Sequence, residues 1–221
     1  MLTNTCLQST IIIDCGENEY LTDFGGRMKY KFFNKLMIVI MSFGSIYLCL
    51  YRVFMLNRYK RITTDLAIII VLMIPYILSR INIKLSEKEK SVFYGYIFVA
   101  DFLGCVVNLF AKISWFDTFS HFLSGIFFFL VGLKLLKMFK QYNSKNIIFN
   151  LLFIFGIVFI SAGLWEIIEY SVDLISGSNL QHNKDTGVVD TMEDMIACFV
   201  GGVLCLIFYL IGKFKTRKKI K

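Results

Sequence analysis

Asp117 and His121, Glu166 and Glu169, and Asp190 and Asp194 are the residues of this chain best suited to chemistry. The members of each pair stand three or four positions apart, so on a helix they share a face. Each pair also lies at or just inside the end of a long apolar run, in WFDTFSHFLSG at 115–125, WEIIEY at 165–170 and DTGVVDTMEDM at 185–195. A histidine one helical turn after an aspartate is a proton donor or acceptor with its own orienting group. Gathered carboxylates offer hard oxygen ligands to a divalent cation. One reading of the combination is acid–base work by His121 oriented by Asp117, with Glu166, Glu169, Asp190 and Asp194 holding the cation; the other is a polar bridge to His121 that holds the helices together. Asp173 extends the Glu166/Glu169 face, whereas Glu193 points away from the Asp190/Asp194 face and reads as a solvated carboxylate. Asp101, in the middle of another apolar run, is expected to turn inward, with Asn108 on the same face.

The elements that must carry these residues are membrane helices. Hydrophobic residues make up 57% of the chain and charged residues 18%, with one proline. Six apolar blocks follow one another, at about 36–56, 65–83, 92–111, 119–138, 147–170 and 192–212. Each can cross a hydrocarbon core of about 30 Å at about 1.5 Å per residue. The runs lack strand alternation, which leaves helices as the spanning structure. The expectation is an all-α membrane protein, a bundle of about six transmembrane helices in one domain over 28–215, with a basic tail at 216–221. Pro75 predicts a kink in the second block. Gly125 predicts close approach of its helix to another.

Charge sets the expected orientation. The net charge of +8 comes from basic residues between the blocks, so lipid headgroups are the expected partner and nucleic acid is not. Whether a protein partner exists stays open. Eighteen of the 24 Lys and Arg fall at 27–35, 80–90, 134–145 and 213–221, and six fall on the alternate connections. The positive-inside rule then places both termini in the cytoplasm and the three pairs together near the outer face. Arg52, Arg58, Lys60 and Arg61, all on one outer connection, run against that trend.

Two other features bound the reading. The six cysteines show no metal-thiolate spacing, and Cys49, Cys105, Cys198 and Cys205 fall inside apolar blocks as packing residues. Residues 1–27 read as a disordered tail. Gly25-Gly26-Arg27 directly before the basic and apolar run from Met28 suggests translation beginning at Met28.

In order and placement, these motifs resemble the YjdF-like family of bacterial inner-membrane proteins, itself distantly similar to VanZ-like proteins. The resemblance rests on Asp117, His121 and Gly125, on Ser161-Ala162 running into Glu166 and Glu169, and on Asp190, Thr191 and Asp194 before the last block. It covers about residues 30–212. The loop His182-Asn183-Lys184-Asp185-Thr186-Gly187 departs from the Gly-x-Gln-Gly-Asp-like run of that pattern. The resemblance implies a multi-pass inner-membrane protein and no particular reaction. Three functional readings stay open. One is a scaffold whose polar cluster fixes helix packing. Another is a metal-assisted intramembrane enzyme acting on a lipid or lipid-linked envelope substrate. The third is a proton- or cation-coupled transporter using Asp101, Glu166 and His121.

Overall fold

Every apolar block is helical in the computed structural model, which describes residues 17–57, 59, 61–143, 145–177, 179–181 and 187–219. Helix α1 spans Glu17–Phe54, so its backbone runs through residues 17–27; the first sixteen positions of the expected tail lie outside the described residues. Helices α2 (Ile62–Leu72) and α3 (Ile74–Arg80) form one apolar run bent by 41° at Met73. Pro75 opens α3, where it has no N–H to give to the preceding turn, which accounts for the break. Helix α4 (Glu87–Ile97) starts with a reciprocal cap between Ser86 and Glu89. It passes without interruption into a π-helical segment, Phe98–Val106. Helices α5 (Phe116–Met138), α6 (Ile147–Ser176) and α7 (Val189–Lys219) complete the chain. The basic stretch from 216 continues α7 as far as Lys219.

Four described helices are long and apolar enough to cross a membrane, and the bent α2–α3 pair makes a fifth if it is one broken span. The block expected at 92–111 is where structure and sequence differ. It is α4 followed by the π segment and ends at Val106. Asn108 lies beyond that end in a left-handed conformation, φ +69°, so it does not share a helix face with Asp101. The π turn removes the 3.6-residue period on which that expectation stood.

Two apolar cores divide the bundle. Met41, Ile68, Leu72, Phe93, Ile97, Phe102 and Val106 join α1, α2, α4 and the π segment. Phe129, Leu133, Leu136, Ile154, Val158, Ala162 and Cys198 join α5, α6 and α7. Tyr96 stacked on Phe127 at 4.6 Å and Lys134 paired with Glu89 at 2.7 Å tie the two halves together through α4 and α5. Large apolar side chains cover the outside, among them Phe43, Ile70, Leu152 and Ile175. An apolar surface of this kind suits lipid and not water.

Helices α5 and α7 touch backbone to backbone. A Cβ on Gly125 would lie 1.8 Å from the Cys198 carbonyl oxygen, and one on Gly201 would lie 2.0 Å from that of Phe122. Only glycine fits at either point, as the sequence reading of Gly125 anticipates. This contact fixes the start of α5 against the start of α7, where the ionisable pairs lie.

Candidate functional site

The end of the bundle where α5 and α7 begin and α6 ends holds a buried cluster of carboxylates around one imidazole. His121 is its centre. Its Nε2 lies 3.7 Å from Asp117 Oδ1, 3.8 Å from Asp194 Oδ2 and 4.0 Å from Glu166 Oε1. Asp117 comes from the same helix by i, i+4 spacing, whereas Glu166 and Asp194 come from α6 and α7. His121, Glu166, Glu169 and Asp194 are buried. Asp117 and Asp190 are half-buried at the rim, and Glu193 is exposed.

Three overlapping sets of ligand atoms arise here: Asp117, His121 and Glu169; His121, Glu166 and Asp194; and Asp117, Asp190 and Asp194. Within each set the ligand atoms lie within 4.8 Å of one another. All six residues singled out in the sequence therefore meet in one place. Asp101 does not join them. It faces a cavity of about 320 Å³ with Thr63, Thr64, Ala67 and Cys105.

The surroundings of the carboxylates differ in detail. Trp165 donates its indole N–H to Glu169 Oε1 at 2.7 Å. Gln181 donates to Glu166 Oε2 at 3.2 Å and to the Glu166 carbonyl at 3.1 Å. It also lies 3.4 Å from Thr191 Oγ1. Asp173 is in none of the three sets and accepts the backbone N–H groups of Leu180 and Gln181, which holds the loop after α6 in place. Sequence reasoning missed Gln181, since a loop amide carries no periodic signal. Glu166 Oε1 and Asp194 Oδ1 are buried without a hydrogen-bond partner. Among the described residues, neither carboxylate pairs with a lysine or arginine. His182, Lys184 and Asp185 lie outside the described residues.

A second polar region, also missed, lies at the same end of the other half. Arg52 at the end of α1 pairs with Asp65 in α2 and donates to the Val106 carbonyl. Arg61 donates to the Cys105 carbonyl and, at 2.8 Å, to Asn108 Oδ1. The last carbonyls of the π segment are thus capped by guanidinium groups. A carboxylate at the edge of one apolar block and an arginine at the end of the block before it were the available signal.

Comparison with known proteins agrees with this picture. The model of a family described as "Predicted membrane protein (DUF2238)" matches residues 33–213, which include every residue of both polar regions. A protein of Thermotoga maritima, described as uncharacterised, is 27% identical over 150 residues, covering 66% of this chain and 71% of that protein. No solved structure matches the chain.

Proposed function

The chain belongs to the DUF2238 family of predicted membrane proteins, and from that premise we propose that it is a YjdF-like bacterial inner-membrane protein whose His/carboxylate cluster is a divalent-cation centre. Its termini are cytoplasmic and the cluster lies near the outer face. There it serves a metal-assisted enzyme acting on the polar end of a lipid or lipid-linked envelope substrate.

One observation carries the reading. Glu166 Oε1, buried and without a hydrogen-bond partner, faces His121 Nε2 at 4.0 Å, Asp194 Oδ2 lies 3.8 Å from the same nitrogen while its other oxygen is buried and unpartnered, and among the described residues neither carboxylate pairs with a lysine or arginine. A polar network that only fixed helix packing would set a built-in cation against such carboxylates, as Arg52 is set against Asp65. A cation among them removes both the repulsion and the unmet hydrogen-bonding capacity. The orientation is supported by the basic residues, and the dissent of Arg52 and Arg61 weakens because both are engaged inside the fold. A site one or two turns below the headgroups is open to lipid-borne substrates without passage through a soluble domain.

The scaffold reading retains one favourable observation, the glycine contact between α5 and α7, which packs the cluster's helices tightly. Purified protein in nanodiscs of envelope lipid separates the two. The expected result is bound divalent metal and a chelator-sensitive change in one lipid class, read by mass spectrometry. Bound metal with an unchanged lipid profile would defeat the enzyme and leave a metal-tied scaffold. A reporter fused after Lys221 that behaves as periplasmic would overturn the orientation.

A further inference from the structure

We infer that the ion is a first-row transition dication held by His121 Nε2, Glu166 and Asp194, so that His121 is a metal ligand and not the proton-transfer group. The inference rests on the cation reading above and specifies its chemistry. The separations of 3.8 and 4.0 Å from Nε2 are too long for hydrogen bonds. They are close to the spacing of neighbouring ligands around one ion, about 3.4 Å for tetrahedral bonds of about 2.1 Å. Small side-chain rotations close that difference.

Of the three sets of ligand atoms, this one alone is buried throughout, and it alone draws one residue from each of α5, α6 and α7. The alternative set with Glu169 uses a carboxylate already engaged by the Trp165 indole. The set with Asp190 contains two half-buried residues at the rim. The neighbours of the chosen set also suit a metal. Gln181 binds Glu166 through Oε2, which leaves Oε1 directed toward His121, and such outer contacts are what orient metal-binding carboxylates. Asp117, 3.7 Å from Nε2 and nearer the rim, lies beside this ligand set.

An imidazole nitrogen changes which ions fit. Calcium and magnesium favour oxygen-only shells, whereas manganese, iron, cobalt and zinc accept one nitrogen with two carboxylates. The ligand is therefore a divalent ion of the second group.

The test uses the full chain in detergent, purified without a polyhistidine tag, freed of metal and loaded with Cu²⁺ as a spin probe. Pulsed electron paramagnetic resonance should detect imidazole nitrogen coupling in the parent protein and in His182→Ala, and lose it in His121→Gln. Glu166→Gln and Asp194→Asn should each weaken Zn²⁺ or Mn²⁺ binding about tenfold or more, and Glu169→Gln should change it by less than about threefold. Zn²⁺ or Mn²⁺ should bind at least about tenfold tighter than Mg²⁺ or Ca²⁺. Tight binding without imidazole coupling, coupling that disappears in His182→Ala, or a preference for Ca²⁺ would overturn this ligand set and leave the cation reading standing. Failure of the parent protein to bind any divalent ion would overturn both. The parent spectrum is decisive even if a variant does not fold.

Discussion

Asp65 and Asp194 are equally buried, each only 1% exposed, yet their surroundings differ. Asp65 has Arg52 against it, and the same guanidinium reaches the Val106 carbonyl. Asp194 has a histidine at 3.8 Å and other carboxylates nearby. Each aspartate keeps one oxygen without a partner, so the unmet hydrogen bond alone does not separate them. Charge does. In the first region the positive charge is built into the chain. In the second, the described residues bring carboxylates together with one titratable imidazole, and among them neither Glu166 nor Asp194 has a lysine or arginine against it. The first arrangement suits a fixed structural joint, and the second suits a centre that takes something up.

The largest expected effect comes from breaking the joint. Arg52→Leu leaves Asp65 buried beside no cation, and removal of one partner of a buried pair costs about 3–5 kcal/mol. A large fall in thermal stability in detergent is expected, and Arg52→Leu with Asp65→Leu should recover much of it. A single variant as stable as the parent would mean that Asp65 is not held by Arg52.

Second in size is the glycine contact beneath the cluster. Gly125→Ala places a methyl group against the Cys198 carbonyl, and overpacking of this kind costs about 1–3 kcal/mol. Because α5 must move from α7, metal binding should fall along with stability. Gly163, with open space around its Cβ position, is the control, and Gly163→Ala should change neither.

The third prediction reverses the sign found at Arg52. In metal-free protein, Glu166→Gln or Asp194→Asn removes one charge from a crowded group, so stability should stay level or rise by about 1 kcal/mol. Added Zn²⁺ should stabilise the parent by about 2.7 kcal/mol at a hundredfold excess over Kd and should help these variants less. That stabilisation should fade as pH drops, because protons compete for metal-binding carboxylates and imidazole. Variants destabilised as severely as Arg52→Leu would make the cluster a second structural joint and end the contrast.

These two regions were not equally legible. The cluster's pairs are separated by one helical turn inside apolar sequence, so their shared faces follow from spacing alone. Gly125 and the outward Glu193 were legible for the same reason. The Arg52–Asp65 joint links two helices across a connection, where an arginine at a span end reads as a topological charge and not as a partner. The π segment leaves no trace in a 3.6-residue period, and its extra residue per turn moves Asn108 out of line with Asp101. Gln181 and the loop-holding role of Asp173 were hidden because loop hydrogen bonds depend on where the loop returns, which α6 and α7 decide jointly.

Asp101 gives the smallest predicted effect and the finest test of the division. It stands in the π segment, whose last carbonyls Arg52 and Arg61 cap. It nevertheless belongs to neither region. It is absent from each of the three sets of ligand atoms, and it faces a cavity of about 320 Å³ lined by Thr63 and Thr64, which has room for water. A carboxylate in such a cavity is nearly isosteric with its amide, and no built-in cation is stranded by the change. Asp101→Asn should therefore alter stability by no more than about 0.5 kcal/mol. It should also leave the affinity of the His121 site for Zn²⁺ unchanged. The paired measurement matters because two different failures are informative. A drop comparable to that of Arg52→Leu would extend the arginine joint down to Asp101. Loss of Zn²⁺ binding without loss of stability would instead join Asp101 to the cluster through a continuous proton or cation path. That result would revive the transport reading, since a path leading from the cluster toward mid-membrane is what a carrier needs and a site confined to one face does not.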